Sequence, residues 1–359
     1  MISNQPELLE RLVAVIGREA IPAFKAEDMD TPFESLGVDS FGMLTLRAEV
    51  ENAFRRVFPD QLWMSISTPA DVIRIIAQGA NGSGAGAETS LARERRLYTL
   101  NMPQMALGGL SESWLFKEIG DIHWSMITND LGVSSSNLKD AVGNRLYATF
   151  TRICVAADEP LARYAENEPI SLEADLNRFG AGIFLSDLAV QGNGHGTRVS
   201  ALSSFSLRGE VGSNTSILKG QPIIPANSTV RSLDHLPEFA REYRARRASV
   251  PSTVIFECEY EILPAYDING VGLLYFAAYP MINDICAARH GGRRVGLDFS
   301  TRHRDVYYFG NSDADDNLLF RMHSWRETES GIEMEASLSR VSDGTVIAYI
   351  ATIKDRVGG

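Results

Sequence analysis

LPAYDINGVGLLY, residues 263–275, decides how the larger part of this chain reads. Set beside MPQMALGGLSESW, residues 102–114, it matches at a constant offset of 161. Pro103 falls on Pro264, Gly109 on Gly270, Leu110 on Val271 and Trp114 on Tyr275. Each copy runs proline, loop, glycine, helix, and each is followed by strand-like segments. A duplicated α+β unit accounts for both.

Working outward, the two helices read SESWLFKEIGDIHWSMI and GVGLLYFAAYPMINDICAARH. The second is apolar almost all round, so it is buried on most sides. A helix enclosed by an antiparallel sheet meets that need. The runs GIFLSDLAV, TRVSALSSFSLRG, TVIFECEYEI, LLFRMHSW, GIEMEASLSRV and TVIAYIATI alternate with period two between turn-forming residues, as strands do. The longest apolar run, VGLLYFAAYPMI at 271–282, is too short to span a bilayer, and no membrane partner is expected.

The N-terminal part has a different grammar. Leu8, Leu9, Leu12, Val13 and Ile16 recur at helical spacing. An acidic loop follows, and Asp39 then caps a second amphipathic helix carrying Phe41, Leu44, Leu46, Ala48, Val50 and Phe54. Thr68-Pro69 opens a third, PADVIRIIAQ. A Gly/Ala/Ser tract, QGANGSGAGAETS at 78–90, reads as a tether. The expected division is therefore 1–78, a linker over 79–92, and 93–359, with halves of about 93–240 and 241–359.

The totals narrow the chemistry. Across 359 residues the net charge is −12, which excludes nucleic acid as a natural partner. Three cysteines, Cys154, Cys258 and Cys286, without a C-x-x-C pair, fit a reducing cytoplasm and no zinc site. None of the six histidines has metal-ligand spacing with another, so no metal is expected. Asp313, Asp315 and Asp316 in NSDADDN lack the glycine and glutamate of a calcium loop and read as a turn.

Ser40, in LGVDSFGML, stands at a helix start with no base to activate it, because the first histidine in the chain is His123. Helix, acidic loop, F-x-x-L-G-V-D-S, amphipathic helix and T-P-x-x-V helix together strongly resemble acyl carrier proteins over residues 5–78. The resemblance implies a four-helix all-α domain and 4′-phosphopantetheine on Ser40, attached by a phosphopantetheinyl transferase. Phe41 departs from the Leu or Met that many carriers have there. Asp39, Glu49 and Glu51 form an acidic face suited to basic partner surfaces.

The larger region resembles the double hot-dog fold, and more narrowly the polyketide biosynthetic acyltransferase/decarboxylase of the leinamycin type, over residues 95–355. That resemblance implies decarboxylation of a malonyl- or methylmalonyl-CoA thioester and transfer of the acyl product to a carrier, its own or a neighbour's, beside polyketide synthase modules. Thioester hydrolysis, dehydration, or non-catalytic gating of carrier-bound chains are the alternatives. It also implies a catalytic phenol, and Tyr147 in NRLYATFTRI stands in the matching place.

Decarboxylation requires stabilisation of an enolate oxygen. Gly109-Leu110 and Gly270-Val271, at the two expected helix starts, are candidate oxyanion donors. Asn269 can donate to a thioester carbonyl and Asp267 can act as a base, although a D-x-N-G turn needs the same residues. His123 reads as an acid/base or as a helix cap. Ser111 and Glu112 read as helix-start residues, and His195 as an exposed hairpin histidine.

Overall fold

The structure is a computed structural model that describes residues 10, 12–17, 24–54, 57–58, 62–63, 65–78, 92–208, 213–215 and 217–357. The predicted tether lies outside the described residues except for Ala92, which opens the first strand.

In the N-terminal domain residues 12–17 are helical, followed by α1 (Ser40–Phe54) and α2 (Pro69–Gln78). The expected caps are in place. Asp39 Oδ1 accepts from the Gly42 N–H at 2.7 Å, and Thr68 Oγ1 accepts from the Asp71 N–H at 3.3 Å. The domain has its own core, including Leu12, Ile16, Leu46, Val50, Phe58, Val72 and Ile76.

The larger domain is one antiparallel sheet around two helices, α3 (Glu112–Leu131) and α5 (Ala278–Gly291). The strands of the first half are β1 (Ala92–Thr99), β2 (Tyr147–Ala157), β3 (Pro169–Phe179), β4 (Ile183–Gln191) and β5 (Gly196–Arg208), with a short β6 (Ile217–Gly220) beside β5. Those of the second are β7 (Phe256–Glu261), β8 (Phe299–Tyr308), β9 (Asn317–Glu327), β10 (Gly331–Arg340) and β11 (Val346–Arg356). Their order across the sheet is β1-β3-β4-β5-β2-β8-β11-β10-β9-β7. It reads the same from either edge, so the duplication is a pseudo-two-fold about the β2–β8 pair. One shared core takes Leu115, Phe116, Ile119 and Ile122 of α3 together with Ile282, Cys286 and Ala287 of α5.

Three expectations need correction. α5 begins at Ala278, not at Gly270. Residues 270–277 form a turn instead, held by an Ile268–Leu274 bridge and by Asn269, whose side chain competes with helical pairing. α3 runs on to Leu131 and closes on left-handed Gly132, so His123 is in mid-helix and caps nothing. His195 is only 12% exposed, its ring edge-on to Tyr164 and 3.2 Å from Glu168.

A helix that sequence periodicity did not disclose, α4 (Glu238–Ala248), lies on the outer face of the sheet. It has no apolar stripe, and only Ala240 and Tyr243 are buried. This helix and the sheet receive α1. Phe41, Leu44 and Ala48 join Phe179, Ile183, Leu185, Leu202, Ala240 and Tyr243 in one apolar cluster. The Phe41 ring meets Tyr243 edge-on at 4.9 Å, which gives the unusual aromatic side chain its place. Asp39 pairs with Arg247 of α4 at 2.9 Å. Glu51 instead turns inward to Arg47 at 3.0 Å, so the docked face is mainly apolar and not the acidic one expected.

Candidate functional site

The β2–β8 pairing that joins the two halves runs only between Arg152/Tyr307 and Ala156/His303. Before Arg152, β2 keeps β5 on one side, while on the other the chain leaves β8 through Phe309, Gly310 and Asn311. A cavity of about 260 Å³ opens at this gap. Ser40 stands on its wall, with Thr149, Ser206, Lys219 and Arg247 near the carrier and Asn269, Leu273 and Phe276 among the remaining lining. A second cavity, of about 290 Å³, shares Ala148, Phe150, Asn269, Leu273 and Phe276 with the first and adds Lys117, His123, Tyr147 and Tyr275. The two cavities share this wall, the first reaching Ser40 and the second lying beside α3.

Asn269 sits on the shared wall, and its turn fixes how it points. Its Oδ1 accepts from the N–H groups of Val271 and Leu273 at 3.1 and 3.0 Å. Its Nδ2 has no hydrogen-bond partner among the described residues. The turn is braced from behind. Asn311 accepts from the Leu274 N–H at 2.9 Å, and Asn214 donates to the Gly272 carbonyl at 2.7 Å. The tip of the Phe276 ring meets α3 because residue 120 is glycine: a Cβ there would come within 2.3 Å of the ring's Cζ. Sequence reasoning missed the phenols of Tyr243, Tyr279 and Tyr308, which line the outer cavity and donate to the carbonyls of Tyr308, Gly310 and Phe276. Burial pushes all three above the ordinary phenol range.

Other expected residues fall elsewhere. Asp267 is fully buried outside both cavities, and its Oδ2 accepts from the Tyr260 hydroxyl at 3.0 Å and the Leu263 N–H at 2.8 Å. It braces the turn. Val271 spends its N–H on Asn269, and Gly270 precedes no helix. Gly109 and Leu110 pair with Ala106 and Met105 in a two-residue ladder outside both cavities. Gly109 is glycine for close packing: a Cβ would meet the Leu161 carbonyl oxygen at 2.4 Å. His123 lines the inner cavity, but its Nδ1 and Nε2 each lie 2.7 Å from a serine hydroxyl, Ser186 and Ser203. Burial pushes its pKa down to about 3, so the ring is neutral. Tyr147 lines the inner cavity with the Arg145 guanidinium 5.0 Å from its ring centre.

The other half carries the twin of the inner cavity, about 650 Å³, beside α5. Met281, Asp284 and Ile285 line it at the same offset of 161 from Gly120, His123 and Trp124. Here the polar groups are committed to one another. Arg304, 0% exposed, donates to Glu112 at 2.7 Å, to Asp284 at 2.9 Å and to Thr352 at 2.6 Å, and Lys354 reaches Asp284 at 2.6 Å. Burial raises the Asp284 carboxyl, but Arg304 and Lys354 outweigh it and hold the group at about 2. Ser111 caps α3 as expected, accepting from the Trp114 N–H at 3.3 Å.

Among the described residues one cluster has metal-ligating chemistry: Cys154, His303 and Asp305, with ligand atoms within 4.8 Å of one another. Arg152 already binds both Asp305 oxygens, at 2.9 and 2.7 Å, and burial pushes the Cys154 thiol up to about 12. Asp313, in the expected turn, accepts from the Asn214 N–H.

Residues 7–76 match the family described as phosphopantetheine attachment site, and 4′-phosphopantetheine is the prosthetic group of this carrier domain. The larger domain has the hot-dog fold of thioesterase structures. The 12:0-ACP thioesterase from Umbellularia californica superposes with a TM-score of 0.52 at 13% identity, covering 74% of this chain and 94% of that one. An acyl-ACP thioesterase from Bacteroides thetaiotaomicron gives 0.49 at 14% identity over 73% and 98%. A MaoC-like dehydratase from Phytophthora capsici gives 0.38 at 13% over 74% and 95%. No curated protein matches the chain significantly. Among the described residues no helix is long and apolar enough to cross a membrane.

Proposed function

We propose that this protein processes an acyl thioester in cis, by decarboxylative acyl transfer from a malonyl- or methylmalonyl-CoA-type thioester to its own carrier domain, with Ser40 as the attachment point of the arm. The observation that carries the reading is that Ser40 and Asn269 line one and the same cavity. The wall around Ser40 fits a phosphorylated, amide-bearing arm: Lys219 and Arg247 supply positive charge, and Thr149, Ser206 and Asn214 supply hydrogen-bonding groups. When attached, the group supplies a thiol that holds the acyl chain as a thioester. Polyketide-type biosynthesis is where such a product would be used.

The chain's own residues account for the rest. Loss of carbon dioxide breaks the bond between the α-carbon and the carboxylate. The electron pair moves into the thioester as an enolate, and a solvent proton then takes the place of the carboxylate. Decarboxylation needs a donor at the carbonyl oxygen and no general base; the transfer would exchange the acyl carbon's bond to the coenzyme A sulfur for one to the arm's sulfur, with coenzyme A leaving as the free thiol that carries the proton the arm gives up. Asn269 Nδ2 is that donor. Its turn holds it in place beforehand, and such a fixed donor contributes about 10²–10³-fold to rate. Phe150, Leu273 and Phe276 make an apolar wall against which a carboxylate is poorly solvated and neutral carbon dioxide is not penalised. Tyr147 is a second hydroxyl donor at the inner end. Hydrolysis or dehydration would ask for a base. The described lining of the outer cavity contains no Asp, Glu or His; in the inner cavity His123 has both nitrogens engaged and Asp121 pairs with Arg96 at 2.6 Å.

The test is intact mass of the phosphopantetheinylated protein after incubation with methylmalonyl-CoA, followed by peptide mapping. Propionyl on the Ser40 arm is the expected result. Free acid would mark a hydrolase, loss of water from a supplied hydroxyacyl chain a dehydratase, and an unchanged acyl load a gating module.

A further inference from the structure

Lys219, on β6, lies opposite Ser206 of β5 on the outer face of the sheet, in the wall of the cavity where Ser40 stands. Its Nζ donates to Ser204 Oγ at 2.7 Å and lies 3.4 Å from Ser206 Oγ, which in turn is 2.8 Å from Thr149 Oγ1. Ser204 and Ser206 are buried, at 0% and 2% exposure. Among the described residues no carboxylate forms an ion pair with this ammonium. The nearest formal charges felt there are Arg247 and Asp39, and these pair with each other at 2.9 Å. Burial first and Arg247 second push Lys219 down to about 8, with Asp39 opposing, which leaves it mostly charged at neutral pH.

An enclosed cation without a counter-ion is costly unless something supplies one. A lysine ammonium has three donors, and the two serine hydroxyls use at most two of them. Thr149 Oγ1 also donates to the Ser204 carbonyl at 3.1 Å, and the Thr149–Ser206 pair can turn a hydroxyl toward the cavity by exchanging one of these bonds for an anion. A compact cation flanked by two hydroxyl donors suits a tetrahedral oxyanion, for which lysine acts as a point charge. The arm joins its carrier through a phosphodiester, directly at the serine oxygen.

We propose that Lys219, with Thr149 and Ser206, forms a phosphodiester site that receives the phosphate linking the pantetheine arm to Ser40 when α1 is docked on the sheet. The proposal rests on the reading of Ser40 as the attachment point. It gives the docking equilibrium a dependence on modification: the apo carrier leaves the ammonium uncompensated, and the holo carrier neutralises it. The modified carrier therefore docks more tightly than the bare one.

The experiment needs no turnover. Phosphorus NMR and hydrogen exchange are recorded on apo and holo forms of the full chain, for wild type, Lys219→Met and Lys219→Arg, with free coenzyme A removed so that the arm is the one phosphate source. Wild-type holo protein is expected to show a displaced phosphodiester resonance and stronger protection of α1 than apo. Lys219→Met is expected to return the resonance to that of an undocked arm and to weaken holo docking about tenfold or more, the yield of one charge-assisted hydrogen bond. Apo docking should not weaken, and Lys219→Arg should retain much of the effect. Removing an unpaired buried charge should leave the apo melting temperature unchanged or raised, so misfolding does not obscure the result. Equal protection in wild-type apo and holo forms, or a Lys219→Met resonance identical to wild type, overturns the site while leaving Ser40 modified. Absence of the arm's mass from the Ser40 peptide overturns both the attachment reading and this site.

Discussion

Phe41 offers a clean separation between folding and docking. Its ring is 1% exposed, yet it belongs to the interdomain cluster and not to the core of the carrier. Its neighbours are Leu44 and Ala48 of its own helix, and Tyr243, Ala240 and Leu202 across the interface. Phe41→Ala removes a buried aromatic side chain and its edge-on contact with Tyr243. Truncations of this kind cost about 3 kcal/mol at a well-packed interface. That loss falls on the docking equilibrium, so the docked fraction relative to the free one drops about 100-fold. Because the two domains share one chain, docking stays intramolecular and is reduced without being abolished. Hydrogen exchange on α4 and on the outer face of β5 reads the docked state, and calorimetry reads the carrier. The variant should lose protection on α4 while the carrier's own melting transition stays in place. Leu46→Ala, in the carrier core, should lower that transition instead. If Phe41→Ala melts the carrier, or leaves α4 as protected as before, the assignment of Phe41 to the interface is wrong.

Asn269→Asp keeps the acceptor that ties the turn and deletes the donor aimed at the cavity, so turnover should fall about 10²–10³-fold with melting little changed, in single-turnover mass assays. Tyr147→Phe retains the ring and loses the hydroxyl; turnover should fall about tenfold or more, and unchanged rates would remove Tyr147 from the chemistry. His123 refuses in the folded state a proton that the unfolded chain accepts below about 6.5, so its contribution is intact above that pH and is lost as pH falls toward 3. Urea titrations at pH 7 and pH 4 should differ by about 3 kcal/mol more for wild type than for His123→Phe.

What could be read from the sequence follows what is local. Capping residues and helical spacing around Ser40 gave the carrier helices, because a helix is written in contiguous residues. The proline–glycine repeat marked the duplication. Strands whose inward positions are apolar stood out, whereas β1, with Arg93, Glu94, Arg95 and Arg96, hides its alternation in charge at a sheet edge. β8 was missed for the opposite reason: Arg304 and Asp305 are buried, which only their partners Glu112, Asp284 and Arg152 make tolerable. The overlong second helix came from an apolar run that the Asn269 side chain holds as a turn. Asn269 itself was found because its turn chemistry is local. Lys219 and the three phenols were not, since nothing in their own neighbourhoods announces that Ser40 will be set beside them.

The mirrored strand order has a consequence for how such a protein can diversify. Two identical subunits would have to build both clefts alike, and any substitution would appear twice. Here the copies share one chain, so each cleft answers to its own residues. One lines its cavity with the paired charges of Asp284 and Lys354, while its counterpart shares a wall with the cavity at Ser40. Fusion thus lets the two members of a symmetric pair diverge, one cleft braced by charge and the other turned toward the N-terminal domain.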